Sequence, residues 1–210
     1  MKYLGLASLS VLLLMGAGCA PVAQVFDSEV TQTRGEESSL TFTYPDTVQD
    51  TPSASWEFPG ALSVEQIKGK QIHISTEKGD IVFELFADTA PKTVSNFVYL
   101  TEGGYFNGLT FHRREEGFVI QGGDPSGNGT GGPGYTFEDE LDDEYGYERG
   151  IVAMANRGPD TNGSQFFIML GDTPLPKNYS IFGRVTSGME VVDAIAVGDV
   201  MTTVAVETAD

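Results

Sequence analysis

From Gln71 onward the chain is cut into short apolar runs, and most of the cuts fall at glycine. LTFHRR, GFVIQ, GIVAMAN, SQFFIML, YSIFGRV and VMTTVAVET are short and rich in the β-branched and aromatic residues that suit a pleated sheet. QIHISTEKGDIVFELF alternates around Lys78-Gly79-Asp80, which predicts a hairpin. Two stretches break the pattern. DTAPKTVSNFVYLTEGGYF predicts a helix with Thr89 as cap, Pro91 in its first turn and Val94, Phe97, Val98 and Thr101 on one face. Gly103 and Gly104 stop it, and a second helix is predicted at about Gly188 to Ile195. Many short strands, Gly-rich turns and two helices predict a mainly β fold, a closed antiparallel barrel with helices over its ends.

The first residues belong to a different regime. MKYLGLASLSVLLLMGAGC carries Lys2, an apolar run from Leu4 to Met15 and then small residues before Cys19. This is signal-peptide architecture over residues 1–18, too short for a comfortable membrane span. Cys19 is the one cysteine, so no internal disulfide can form. A single Cys after Gly-Ala-Gly resembles a bacterial lipoprotein signal, in which that residue is lipidated. The location implied is extracytoplasmic and membrane-anchored, or secreted if Cys19 is not modified. Residues 19–67 read as the anchor cysteine and an acidic tether. From 20 to 67 there are eight acidic residues against the single Arg34, a charge of −7. Trp56 to Ile67 is more apolar and is expected to pack on the domain or form a short helix. The folded domain is placed at 68–210.

GNGTGG (127–132) fits the dinucleotide fingerprint, but Pro133 and Gly134 follow at once and no helix can receive a pyrophosphate. The same loop mimics part of a calcium loop through Asp124, Ser126 and Asn128. The required bidentate Glu is replaced by Tyr135. A net charge of −18 argues against nucleic acid, whose phosphates need Lys and Arg. No metal constellation or serine elbow is present: His73 and His112 fall in different strands, and NGSQ is not a G-x-S-x-G turn. His112 is expected to be a hydrogen-bonded structural residue.

What remains is one arginine among amides and rings. FHRREEGFVIQGGDP carries Arg113, Phe118 and Gln121; MANRGPDTNGSQFFI carries Asn156, Gln165 and Phe167. Alternation places Phe118, Ile120 and Gly122 on one side and Val119 and Gln121 on the other. Arginine stays protonated and only donates, so such a site suits a reaction needing hydrogen bonds and apolar shape, with no nucleophile and no cofactor.

These motifs, with FELFAD-x-AP-x-T-x-x-NF, GTGG, FEDE and YSIFGRV, resemble the cyclophilins, the peptidyl-prolyl cis–trans isomerases, over about Gln71 to Glu207. The resemblance implies an eight-stranded antiparallel barrel capped by two helices. It implies that Arg113 aims its guanidinium at the prolyl nitrogen, with Phe118 and Gln121 beside it as the catalytic set. It implies a proline slot of Phe118, Val119, Phe167, Leu175 and Tyr179, peptide binding through Ala155 and Asn156 backbone groups, and Gln165 at the rim. Proline-containing polypeptides are the implied partners, with a monomer as the default state. GNGTGG then becomes a tight loop beside the groove, and the Asp139–Glu144 run a solvated loop.

The departures carry expectations of their own. Pro174 stands where cyclosporin-sensitive members have Trp, so weak cyclosporin binding is expected. Tyr179 replaces a family His, and Val119 a Met. Glu115 and Glu116 replace an apolar-Pro pair, two carboxylates that compete for the Arg113 guanidinium. The competing readings are a non-catalytic module or holdase for proline peptides, and a structural spacer.

Overall fold

The computed structural model describes residues 55–209. Cys19, the 1–18 leader and most of the acidic arm lie outside the described residues. In chain order the elements are α1 (Val64–Ile67), β1 (Lys70–Thr76), β2 (Gly79–Leu85), α2 (Pro91–Glu102), β3 (Arg113–Glu115), β4 (Val119–Gly122), β5 (Ile151–Met154), β6 (Phe166–Met169), β7 (Ile181–Ser187), α3 (Met189–Ala194) and β8 (Thr203–Thr208). The strands form one antiparallel sheet in the order β3-β4-β6-β5-β7-β2-β1-β8.

The sheet curls into a barrel, although it is less than fully closed. Its two edge strands, β3 and β8, do not ladder with each other. The segments just before them meet instead at a bridge between Thr110 and Val200. Phe111 N–H donates to Asp199 O at 2.9 Å and Met201 N–H to Leu109 O at 2.9 Å across this seam.

Inside the barrel the alternation is obeyed. Ile72 and Ile74 of β1, Ile81 and Phe83 of β2, Ile120 of β4, Phe166 and Ile168 of β6 and Phe182 of β7 are all fully buried. Helix α2 closes one end with Val94, Phe97, Val98 and Leu100. Phe97 is its anchor, stacked on Phe106 at 4.6 Å and edge-on to Phe166 at 5.3 Å. Each such ring contributes about 1.5–3 kcal/mol by leaving water.

Three local expectations are corrected. The β1–β2 turn is Glu77-Lys78, because Thr76 pairs with Gly79; Gly79 and Asp80 already belong to β2. Thr89 does not cap α2: its hydroxyl turns back to Phe86 O, and the N-cap position is Ala90. The free N–H groups of Lys92 and Thr93 go instead to the Glu140 carboxylate, at 3.0 and 2.8 Å. The run Asp139–Glu144 is therefore no mere solvated loop. Asp139 accepts from Asn162 and from the Asp160 backbone, and Asp143 is buried in an ion pair with Lys177.

The packed body also extends N-terminal of Lys68. Trp56 lies edge-on to Tyr99 (5.6 Å) and Tyr105 (5.4 Å), and Phe58 stacks on Phe137 at 4.8 Å. Gly103 makes room for the indole: a Cβ there would fall 2.4 Å from Trp56 Cη2.

Candidate active site

Outward-facing residues of the same strands build a second apolar cluster, separate from the barrel core. Val119 (β4), Phe167 and Met169 (β6), Ile151 and Ala153 (β5) and Ile181 (β7) form it, with Tyr147 from the loop before β5. Phe118, Ala155, Leu175 and Tyr179 pack against it, half-exposed. Every residue assigned to the proline slot by resemblance thus falls on this one patch. Phe118 is not on the Ile120 side, as strict alternation predicted. It precedes β4, in the turn that starts at Glu115, and is free of the strand's period.

Register explains the convergence. Arg113 pairs with Gln121, Gln121 with Phe167, and Phe167 with Ala153. One row across β3, β4, β6 and β5 therefore carries the arginine, an amide and the aromatic floor. The next row runs Glu115, Val119, Met169.

A donor chain crosses the patch. Arg113 Nη1 donates to Gln121 Oε1 at 3.1 Å, and Gln121 Nε2 donates to Gln165 Oε1 at 2.9 Å. Gln165 Nε2 in turn donates to Gly129 O and Gly131 O, at 3.1 and 2.9 Å. Gln165 is buried, so its amide orientation is fixed by the loop carbonyls it serves. Arg113 Cζ stands 5.9 Å from the Phe118 ring centroid. The expected competition from two carboxylates resolves into one. Glu115 Oε1 lies 3.6 Å from Arg113 Nε, while Glu116 pairs with Arg114 at 2.9 Å.

The remaining wall of the slot comes from the 171–179 strap, which a neighbouring loop holds in place. Tyr147 grips Tyr179 from both sides: its hydroxyl accepts from Tyr179 N–H at 3.0 Å and donates to Tyr179 O at 2.9 Å. Burial holds the Tyr147 phenol above its ordinary range. Lys177 Nζ donates to Tyr145 O at 2.8 Å and to Asp143. Tyr179 meets Phe167 edge-on at 5.5 Å. Tyr147, Asp143 and Lys177 were not found from the sequence, because nothing local marks a contact between loops some thirty residues apart.

Asn156 points its side-chain amide at Asn178 O (2.7 Å), so it too secures the strap. The Ala155 N–H already donates to Gln165 O at 2.9 Å, so one of the backbone groups expected to hold peptide is engaged. Beside the slot lies an open cavity of about 510 Å³, lined by Gln121, Gly129–Tyr135, Ala155, Asn156, Arg157 and Gln165 among others. That volume is in the range of ligand sites.

The Gly-rich loop is shaped by an anion of its own. Asp124, 1% exposed, accepts from the N–H groups of Ser126 (2.7 Å), Asn128 (3.0 Å) and Gly129 (2.5 Å). Burial alone would raise its pKa, but those three donors outweigh it and hold the carboxyl below its usual range. Gly131 passes so close that a Cβ would fall 2.1 Å from Asp124 Oδ1. Asp124 is thus committed to its own backbone, and among the described residues no group of three or more His, Cys, Asp or Glu is placed to hold a metal. His112 departs from expectation. Both ring nitrogens are buried without a hydrogen-bond partner, and burial pushes its pKa down.

Comparison with known proteins agrees with this geometry. Residues 71–209 match the family model of cyclophilin-type peptidyl-prolyl cis–trans isomerases. Peptidyl-prolyl cis-trans isomerase B of Bacillus subtilis is 50% identical over 129 residues, covering 60% of this chain and 90% of its own. A peptidyl-prolyl cis-trans isomerase of Helicobacter pylori is 47% identical over 135 residues, covering 62% and 83%. A longer relative from Rhizopus delemar is 50% identical over 136 residues but matched over only 22% of its length. A crystal structure of a Cryptosporidium parvum cyclophilin-type isomerase superposes with TM-score 0.63 at 36% identity, covering 67% of this chain and 99% of that one. The chain therefore belongs to the cyclophilin-type peptidyl-prolyl cis–trans isomerases.

Proposed function

We propose that the groove accelerates rotation about X–Pro peptide bonds, with Arg113 as the donor to the prolyl nitrogen and the Phe118–Val119–Phe167–Leu175–Tyr179 patch as the proline slot. The observation that carries this is the juxtaposition of a fixed, always-charged donor with an apolar patch. The reaction needs no more. The planar amide is held by delocalisation of the nitrogen lone pair, with a barrier of roughly 18–20 kcal/mol. Twisting localises that pair, and a donor aimed at it stabilises the twisted state more than the planar one. Lowering the barrier by about 7 kcal/mol corresponds to roughly 10⁵-fold in rate. A solved structure of the Cryptosporidium relative was obtained in the presence of the dipeptide Ala-Pro.

The test is cis-to-trans relaxation of a short X–Pro peptide with the full chain and with Arg113→Ala. The wild type is expected to accelerate relaxation, and the variant to lose at least about 100-fold in kcat/KM. A folded wild type that leaves the rate unchanged would instead support a proline-peptide-binding module, the reading favoured by the Arg113–Glu115 contact.

The reading extends to a membrane-anchored isomerase that acts on exported client proteins. Its support is the Lys2, Leu4–Met15 and Gly16-Ala17-Gly18-Cys19 pattern. Among the described residues no helix is long and apolar enough to cross a membrane; the anchor in this reading is the lipidated Cys19.

A further inference from the structure

Among the described residues Glu115 is the one carboxylate paired with Arg113, and its position is more specific than a surface charge requires. It stands opposite Val119 in the β3–β4 ladder, on the face that carries Arg113, Gln121 and the slot floor. Its partner among the described residues is Arg113, at 3.6 Å, through Nε. Glu116, by contrast, is drawn away by Arg114, which also donates to Ile195 O at 2.8 Å. Arg113 is therefore shared between Gln121 on Nη1 and Glu115 on Nε. Once the guanidinium turns to a proline, the Glu115 carboxylate loses a partner at the edge of the occupied groove. A cation on the substrate can replace it.

We propose that Glu115 is a specificity-determining residue: it makes the groove favour polypeptides with a lysine or arginine adjacent to the proline. This rests on the isomerase reading. Glu115 lies on the slot side of Arg113, whereas the Gly129–Tyr135 cavity lies on the Gln121–Gln165 side. The effect is therefore confined to one flank of the proline, the flank that leaves past β3. Glu115 is 56% exposed and Arg113 42%, so the pair is screened by water. The preference is correspondingly modest, about two- to five-fold, and shrinks with salt.

The experiment uses a neutral host peptide, Ala-Ala-Pro-Ala, and four relatives with Lys or Glu immediately before or immediately after the proline. The full chain and Glu115→Gln are compared by NMR exchange for kcat/KM and by titration for Kd. At one flank the wild type is expected to favour Lys over Glu by two- to five-fold more than the variant does. At the other flank the two proteins agree, which separates Glu115 from the overall negative field. Added NaCl at 0.5 M, as an order-of-magnitude choice, should reduce the difference. Equal Lys/Glu ratios for both proteins at both flanks overturn the proposal. If the neutral host is not accelerated at all, the isomerase reading falls. The Kd ratios then decide the role of Glu115 by themselves.

Discussion

His73 and His112 show how two identical side chains acquire opposite roles. His73, on β1, has Nδ1 at 3.0 Å from Glu207 and Nε2 at 3.4 Å from Asp80. Burial pulls its pKa down, but the two carboxylates outweigh that and raise it above 6.5. Its contribution to stability is complete below that value and is lost as pH rises through the raised one. His112 is the reverse. Burial lowers its pKa, and Arg113 adds to that against the pull of Asp124. Its unfolded form binds protons more readily, so it destabilises the fold progressively as pH falls below 6.5. We expect His73→Gln to cost more stability at pH 5 than at pH 8, and His112→Gln to cost less at pH 5 than at pH 8. Each difference should be about 1 kcal/mol or less, read from urea melts. Equal costs at the two pH values would exclude both assignments. The sequence shows where both histidines stand. It does not show that one is held by two carboxylates and the other lies buried without a hydrogen-bond partner, with only the more distant Asp124 pulling on it, since those groups arrive from β2, β8 and the loop after β4.

At the scale of elements, α2 and α3 were legible and their fastenings were not. Pro91, the apolar face of Phe97 and the Gly103 stop are local signals. The cap is not local: Glu140 comes from forty-seven positions away to accept from Thr93. Substituting Glu140→Gln removes the charge beside the positive end of the helix and one strong acceptor. The expected loss is about 1–2 kcal/mol, measured by thermal or urea denaturation. Isomerase activity of the folded variant at 25 °C should persist, because α2 closes the barrel end and the groove lies on β3, β4, β6 and the strap. An unchanged melting curve would mean the carboxylate is dispensable as a cap. The strap teaches the same lesson. Leu175 and Tyr179 were reached through the family motif, but the Tyr147 clamp that positions them has no spacing of its own.

At the scale of the molecule, short strands between glycines were enough to predict a barrel, and the ordered motifs were enough to name the family. The Thr110–Val200 seam was not legible, since it joins two segments outside any regular strand. The N-terminal limit of the packed body was legible in part: the apolar Trp56–Ile67 stretch was expected to pack or form a short helix, and it does both. Trp56 is apolar in a polar stretch, and only the ring pair Tyr99 and Tyr105 shows why. The anchoring reading belongs to this scale too. Wild-type chain expressed in a bacterium with a lipoprotein pathway is expected in the detergent phase on phase separation, and Cys19→Ala in the aqueous phase. The same partition for both would remove the lipid anchor from the proposal.

The seam has a consequence for the company this protein keeps. An isomerase that works on unfinished chains meets segments ready to join any open sheet, and an unpaired edge is a template for them. Here the backbone groups of residues 108–111 and 198–201 are turned toward one another. The exposed length of β3 is only Arg113-Arg114-Glu115, charged throughout. The longer edge is β8, Thr203–Thr208, whose outer side is partly occupied where Val204 N–H donates to Asn107 Oδ1 at 2.8 Å, so a visiting strand finds few vacant amides in a row. A groove that holds clients by side chains, as proposed above, leaves them free to depart once the proline has turned.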